Sequence, residues 1–264
     1  MVQTVKKGPL EYLVAEGITA SHGFTTRLGG VSQGVLSSLN IGIHRGDQWE
    51  NVLKNYEILG GALEFDVKNL VLSHQTHTDI VLKVGKEHLG AGLFKPELPE
   101  CDGLITNEPG VALAIFTADC TPILLHDPVT GAVGAVHAGW RGTAASIAGK
   151  AVEAMEKAFG TNPADLRAAI GPNIGVCCFE TDADVPEALL EAFGDEARPF
   201  IFPKGDKYYV NLKEVNALVL RRAGVRNIEI SLDCTVCQCH RFWSHRVTKG
   251  HRGSQGAIIV CQTI

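Results

Sequence analysis

The sequence lacks the features that mark membrane proteins and nucleic-acid-binding proteins. No apolar run approaches the ~20 residues that a bilayer-spanning helix needs. Basic residues are not in excess, because 24 Lys and Arg stand against 29 Asp and Glu and give a formal net charge of −5. The chain therefore has no electrostatic footprint for nucleic acid. We expect neither a membrane nor a nucleic acid as partner.

The N-terminal segment lacks the apolar core of a secretion signal. Without such a signal, the eight cysteines indicate reduced thiols and not a disulfide framework. Internal repeats, low-complexity tracts and Pro/Ser-rich linkers are also missing. With 45% hydrophobic and 20% charged residues, the composition is that of an ordinary globular protein. We expect a cytoplasmic location.

Strand and helix patterns are mixed along the chain. We predict strands at 111–117, 122–126, 132–137, 166–170 and 227–231, and helices at 47–59, 143–159, 185–193 and 212–223. A Pro- and Gly-containing turn at 127–131 predicts an antiparallel hairpin between the second and third strands. The mixture predicts one α/β (α+β) domain over residues 1–264 with a mixed sheet.

Three metal-ligand side chains each follow an apolar, strand-like run: His77, Cys120 and His137. Imidazole and thiolate suit Zn²⁺ and, with less discrimination, Cu²⁺. Three ligands leave a tetrahedral ion one position short, which is the arrangement of a catalytic site. A closed structural site would need a fourth ligand, for which His74 and His126 are candidates. The residue types alone also allow a buried Cys120 beside two His that bind no ion.

Two arginines lie in Gly-containing turns that suit an anion. Arg27 is followed closely by a Gly-Gly pair, and Arg141 lies between Gly139 and Gly142. Arginine binds phosphate bidentately, and small residues allow backbone N–H groups to approach an anion. We predict a phosphate role for both. Asp119, next to Cys120, is a candidate catalytic proton carrier or a supporting carboxylate.

A second group of thiols lies near the C-terminus, where Cys234 and Cys237 have a ligand-like spacing and Cys239 follows. No second pair lies at finger-like distance, so reduced thiols are favoured over a structural zinc. Cys177 and Cys178 are adjacent and are predicted to be poorly placed to chelate one ion together.

Seven segments form a specific set of motifs, at 25–32, 38–42, 75–77, 101–106, 117–122, 136–142 and 170–172. This set resembles the YfiH/laccase-domain family, whose members are called polyphenol oxidases, multicopper laccases, peptidoglycan editing factors or purine nucleoside phosphorylases. The resemblance runs from about His22 to near the C-terminus. This chain departs from the family in having Thr78 after the first His where Gly is usual. It also has Ser244-His245-Arg246-Val247 where the family has Ser-Tyr-Arg-Arg.

The resemblance implies a single α/β sandwich with mixed sheets, related to cysteine-hydrolase-like folds. It implies zinc on His77, Cys120 and His137, and we assign Asn40, with Arg27 and Arg141, to the substrate. The implied activities are phosphorolysis of adenosine, inosine and methylthioadenosine, with purine nucleosides and phosphate as partners, and deamination of adenosine to inosine.

Three other functions are compatible with the same residues. A copper polyphenol oxidase is disfavoured, because the only methionines are Met1 and Met155 and the ten His include no His-x-His pair, although copper could occupy the site in vitro. A hydrolase that edits a cell-wall precursor could use Cys120 as nucleophile and His137 as base, or a zinc-bound hydroxide. A non-enzymatic metal- or ligand-binding protein is the third.

Overall fold

The structure is a computed structural model that describes residues 1–263. It confirms a mixed α/β fold. The strands are β1 (Val2–Lys7), β2 (Leu10–Ala15), β3 (His22–Thr25), β4 (Leu70–Leu72), β5 (Val81–Lys83), β6 (Gly103–Thr106), β7 (Ala112–Thr117), β8 (Thr121–His126), β9 (Val133–Ala138), β10 (Arg167–Ile170), β11 (Glu180–Thr181), β12 (Ile201–Lys204), β13 (Lys207–Val210), β14 (Asn227–Ile230) and β15 (Gln255–Val260). The α-helices are α1 (Trp49–Leu63), α2 (Trp140–Ala144), α3 (Ile147–Phe159), α4 (Asp184–Phe193), α5 (Leu212–Arg222) and α6 (His245–Thr248).

The strands form two six-stranded sheets and one small three-stranded sheet. The first sheet has the order β1-β2-β3-β15-β7-β4, the second has the order β14-β10-β8-β9-β6-β5, and the small sheet has β11-β13-β12. β8 and β9 form the antiparallel hairpin that the turn at 127–131 predicts. The pairs β4–β7, β5–β6 and β10–β14 are parallel, so both large sheets are mixed.

The two large sheets pack face to face, and helices cover their outer faces. Strand alternation shows this in β7, where Leu113 and Ile115 belong to the core between the sheets. Ala112 and Ala114 of the same strand belong to the core that the first sheet shares with α1. The outward residues of β8 and β9 join a third core with α3 and α5. The layers therefore run helix, sheet, sheet, helices, which is the sandwich that the family resemblance implies.

Two helix predictions need correction. The helix predicted at 47–59 spans Trp49–Leu63, and the pair Gly60-Gly61 lies inside it because Glu64 supplies the left-handed terminal residue at φ 59°. The helix predicted at 143–159 is two helices, α2 and α3, because Ser146 adopts φ 60° between them. Left-handed backbone ends a helix wherever it occurs, and here neither position is glycine.

None of the helices in residues 1–263 is both long enough and apolar enough to cross a membrane.

Candidate metal and substrate site

Strand alternation places Cys120 and His137 at the seam between the two large sheets. Leu124 of β8 and Ala135 of β9 point into the core between the sheets. Cys120 and His137 lie an even number of residues away on the same chain segments, so they face the same side. His77 reaches them from the loop that follows β4 of the first sheet, with φ 64°. The three residues, hereafter the trio, are thus contributed by both sheets.

The trio's ligand atoms all lie within 4.8 Å of one another. Cys120 Sγ is 3.9 Å from His77 Nε2, and the two imidazole rings meet edge to face with centroids 4.9 Å apart. His137 is buried, Cys120 is half-buried and His77 is exposed, so the cluster is open on one side. This donor set and spacing fit a zinc ion with a free position. The binding of an ion stays a prediction.

Neither proposed fourth ligand joins the trio. His74 Nδ1 bonds to the carbonyl of Leu98, and His126 lies at the opposite end of β8. In the described part of the chain, no further Cys, His, Asp or Glu ligand atom lies within the 4.8 Å cluster. The geometry therefore favours an open site over a closed structural one.

Asp102 supports the trio, a role that sequence reasoning missed. Its Oδ1 accepts a hydrogen bond from His137 Nδ1 at 2.6 Å, which leaves Nε2 free for an ion. The same carboxylate accepts from the backbone N–H groups of Thr76, His77 and Thr78 and from the Thr78 hydroxyl. The Thr that departs from the family's Gly thus adds a hydrogen bond. A buried carboxylate that orients two ligands at once is the usual support of a metal-binding imidazole.

The trio is electrostatically coupled. Burial opposes ionisation of the Cys120 thiol, but the charge and hydrogen bond of His137, aided by His77, lower its pKa to about 6. Burial likewise opposes charging of His137, but Cys120 and Asp102 raise its pKa to about 9. A thiolate is therefore accessible near neutral pH, and the thiolate is the form that both metal binding and nucleophilic attack require.

Asp119 is occupied in holding the C-terminal segment. Its Oδ1 accepts from the Thr235 hydroxyl at 2.6 Å, and its Oδ2 accepts from the Ser244 hydroxyl at 3.0 Å and the Arg246 backbone N–H at 2.7 Å. Its backbone is left-handed, at φ 86°, immediately before Cys120. These contacts give Asp119 a positioning role, since both carboxylate oxygens already accept protein hydrogen bonds. It also lines one of the cavities at the trio, and its catalytic role stays a prediction.

Two cavities meet at the trio. The polar cavity includes Ser73, His74, Gln75, Glu97 and Ser254 in its wall, and the aromatic cavity includes Trp140, Ile174, Phe179, Leu212, His245 and Arg246. Both are lined by Arg45, His77, Cys120 and Arg252. The aromatic cavity has a volume of about 400 Å³, which is within the range of small-molecule sites.

The three residues predicted to bind substrate lie elsewhere. Arg27 stacks on the Trp243 ring at 3.8 Å and donates to the carbonyls of Ser37 and Cys239. Asn40 is fully buried, and its side chain holds backbone N–H groups of its neighbouring loops. Arg141 is exposed on α2 and lies over the Trp140 ring at 4.1 Å. None of the three lines either cavity, although Trp140, on whose ring Arg141 lies, does line the aromatic one.

Arg45 and Arg252 are the cations that do line both cavities. Arg45 Nε donates to Ser254 Oγ at 3.3 Å, and Arg252 Nη1 donates to the same oxygen at 3.2 Å. Among residues 1–263 neither arginine has a carboxylate within salt-bridge distance, and the buried Nε of Arg252 has no acceptor. Burial and the adjacent charge of Arg45 lower the pKa of Arg252 to about 10. Two adjacent guanidiniums without a carboxylate partner are suited to bind an anion.

Sequence analysis could have found this pair. Arg45 precedes Gly46, and Arg252 lies between Gly250 and Gly253, which is the pattern that selected Arg27 and Arg141.

The cysteine prediction also needs correction. The sulfurs of Cys177, Cys178, Cys234 and Cys237 form a second cluster within 4.8 Å, and Cys239 is outside it. The adjacent pair Cys177 and Cys178 is therefore able to share a site, since both sulfurs lie 3.5 Å from Cys237 Sγ.

Comparison with known proteins agrees with the fold and the motifs. The family described as multi-copper polyphenol oxidoreductase laccase matches residues 21–262. The chain is 40% identical to a protein of Geobacillus stearothermophilus called purine nucleoside phosphorylase YlmD, over 90% of this chain and 88% of that one. The crystal structure of the Bacillus licheniformis hypothetical protein YfiH superposes with a TM-score of 0.93, at 36% identity over 98% of this chain and 99% of that chain. The crystal structure of YlmD from Geobacillus stearothermophilus gives a TM-score of 0.88, at 36% identity over the same shares of the two chains.

The sequence match spans the trio and both cavities, and the structural match spans nearly the whole chain. The chain therefore belongs to the YfiH/laccase-domain family, described as multi-copper polyphenol oxidoreductase laccase.

Proposed function

We propose that the protein is a purine nucleoside phosphorylase that acts on adenosine, inosine and methylthioadenosine. One observation carries the proposal. The aromatic cavity beside Cys120 and His77 is also lined by two arginines that have no carboxylate partner. A nucleoside needs an apolar slot for its base, and inorganic phosphate needs a cationic one. The curated relatives called purine nucleoside phosphorylases support this assignment.

The phosphate-binding role belongs, in this proposal, to Arg45 and Arg252. Both donate to Ser254 Oγ, which aligns the two guanidiniums on one side of the cavities. Phosphate would satisfy the Nε of Arg252, which is buried without an acceptor among the described residues. Charge-assisted bidentate bonds of this kind fix both the position and the orientation of a phosphate.

The purine is assigned to the aromatic cavity. Trp140 and Phe179 supply flat apolar surface for the base. His245 lies in the same wall where the family has Tyr, and its pKa is lowered by burial and by the charge of Arg252. We assign His245 to carry a proton to or from the base. In the reaction the bond between the sugar C1′ and the purine N9 breaks, a bond from C1′ to a phosphate oxygen forms, and the base leaves with a proton.

The trio fits zinc, and we propose that His77, Cys120 and His137 hold it. When bound, the ion would supply a Lewis acid at the junction of the two cavities. Asp102 orients His137 through Nδ1 and fixes the loop of His77 through the backbone. Because the trio faces the aromatic cavity, the proposal includes hydrolytic deamination of adenosine to inosine as a second activity of the same site.

Product analysis with adenosine tests the function directly. Zinc-loaded protein is incubated with adenosine, with and without inorganic phosphate. Adenine and ribose 1-phosphate formed only with phosphate support phosphorolysis, and inosine formed without phosphate supports deamination. If protein whose trio is shown to hold zinc forms neither product, the proposal is rejected in favour of the cell-wall or non-enzymatic alternatives.

A further inference from the structure

Four thiols outside the trio converge at the surface. Cys177 and Cys178 lie in the turn after β10, and Cys234 and Cys237 lie in the turn after β14. Their sulfurs all lie within 4.8 Å of one another. Cys237 Sγ is 3.5 Å from each of the sulfurs of Cys177 and Cys178. All four cysteines are free thiols, and Cys234 is the buried member.

The backbone is arranged to support sulfur. The N–H of Gly175 donates to Cys234 Sγ at 3.2 Å. A side chain at Gly175 would place its Cβ 3.1 Å from the Cys234 Cβ and 3.3 Å from Cys177 Sγ. A side chain here would therefore crowd the two cysteines. The backbone bridge between Asn173 and Cys234 joins the same two turns. Backbone contacts therefore hold the two cysteine-bearing turns together.

The spacing matches that of a tetrathiolate metal site. A tetrahedral zinc with Zn–S bonds of about 2.3 Å separates its sulfurs by about 3.8 Å. Two of the sulfur–sulfur separations, at 3.5 Å, lie slightly inside this value. The other pairs of sulfurs lie up to 4.8 Å apart, and small rotations of the exposed cysteine side chains would bring them to the distance that zinc requires. Four sulfur ligands leave no open position, which is the property of a structural site.

We propose that Cys177, Cys178, Cys234 and Cys237 bind one Zn²⁺ as a structural tetrathiolate site, separate from the trio. The ligands are two adjacent cysteines and a Cys-x₂-Cys pair from a distant part of the chain. Zinc is chosen over harder cations because the donor set is entirely thiolate. The proposal does not depend on the proposed function.

The site would fix one wall of the aromatic cavity. Ile174 and Phe179, which line that cavity, flank the first pair of cysteines. The second turn includes Thr235, whose hydroxyl donates to Asp119. Arg246 donates to the carbonyls of Cys178 and Glu180 near the first turn. A metal that joins the two turns would hold both sides of the wall together. Its loss should raise the KM for a substrate in this cavity and leave the trio intact.

Zinc counting separates the two sites. Wild-type protein purified without added metal should contain about two zinc ions per chain and Cys120→Ala about one. The remaining zinc in Cys120→Ala should show, by X-ray absorption, four sulfur neighbours at about 2.3 Å and no nitrogen. Cys237→Ser should lose one zinc relative to the matched control Cys239→Ser, whose thiol is in the same turn but outside the cluster.

Cys177→Ser serves as the second variant, because Cys177 is exposed and its replacement should leave the core packing unchanged. Equal zinc in Cys237→Ser, Cys177→Ser and Cys239→Ser would overturn the proposal. So would iron in place of zinc, nitrogen ligands in the absorption spectrum of Cys120→Ala, or a disulfide among these four cysteines in protein purified under reducing conditions. A loss of zinc at the trio alone would instead bear on the proposed function.

Discussion

Asp102 and His137 are joined twice. The imidazole Nδ1 donates to the carboxylate at 2.6 Å, and the backbone N–H of His137 donates to the Asp102 carbonyl at 2.7 Å. The second bond continues the β6–β9 ladder, in which Gly103 pairs with Val136. The carboxylate that orients the ligand is therefore placed by the sheet itself.

Replacement of Asp102 should weaken metal binding. Asp102→Asn keeps the shape but loses the charge that holds His137 and the His77 loop, and such a change typically costs about 10–100-fold in metal affinity. Competition with a coloured chelator measures the affinity. Asp79→Asn is the control, because Asp79 lies two residues beyond His77 but pairs with Lys150 at the surface. Equal affinities in the two variants would contradict the role of Asp102.

Cys120→Ala should remove metal and activity together. The change deletes one of three ligands, so about one zinc per chain should be lost, and adenosine turnover should fall to background. Circular dichroism should show the fold retained, because the Cys120 side chain is only half-buried. Cys239→Ala is the control thiol. Full zinc content in Cys120→Ala would exclude the assignment.

Phosphate affinity should depend on Arg252. Arg252→Gln removes a charged donor from the cavities, and the KM for phosphate should rise roughly tenfold to hundredfold. Steady-state kinetics with phosphate as the varied substrate measures this. Arg198→Gln, a surface arginine paired with Asp195, should leave the KM unchanged. If the KM for phosphate rose in Arg141→Gln and not in Arg252→Gln, the phosphate role would return to Arg141, as the sequence predicts.

Zinc, and not copper, should support the main activity. Met155 belongs to α3 and is buried in the core between this helix and the second sheet, so it does not supply the weak axial ligand that blue copper sites use. Copper-loaded protein could still oxidise phenols weakly, because the same ligands bind Cu²⁺ more tightly than Zn²⁺. Adenosine turnover and phenol oxidation are measured side by side on zinc-only and copper-loaded protein. The purine assignment would be wrong if zinc-only protein did not turn over adenosine while copper-loaded protein oxidised phenols efficiently, with saturation and with loss of the oxidation in Cys120→Ala.

Alkaline stability should depend on Cys261. This thiol is buried and donates to the Gly131 carbonyl at 3.3 Å, and burial raises its pKa from 9.0 to about 11. Above pH ~9 the unfolded chain releases this proton before the folded one does, so the free energy of unfolding falls as pH rises from about 9 to about 11. Cys261→Ala should flatten that fall by on the order of 2 kcal/mol relative to Cys239→Ala in urea titrations. An unchanged slope would contradict the prediction.

The sequence predicted the central strands and the trio because both follow from local pattern. The apolar runs before Cys120 and His137 are strands that end at one seam, and ligands at strand ends meet there. The arginines were chosen by the same local rule, but that rule cannot report direction. Arg27 lies over the Trp243 ring and Arg141 over the Trp140 ring, whereas Arg252, near the C-terminus, lines both cavities.

The thiol cluster shows the same limit. The spacing of Cys234 and Cys237 is visible in the sequence, but the second pair lies far away along the chain, with Cys178 59 residues before Cys237. The parallel pairing of β10 with β14 brings the two turns together, and pairing of distant strands cannot be inferred from either segment alone.

The position of the trio in the seam has a consequence for folding. His77 follows a strand of the first sheet, His137 belongs to the second, and Cys120 ends the crossover between them. The three ligand atoms can therefore converge only after the two sheets have docked, late in the search of the chain for its native contacts. Any ion that the trio holds binds the docked state in preference to the unfolded chain. The free energy of unfolding should therefore increase with the free concentration of the ion, by mass action. The ion would therefore stabilise the docked arrangement of the two sheets.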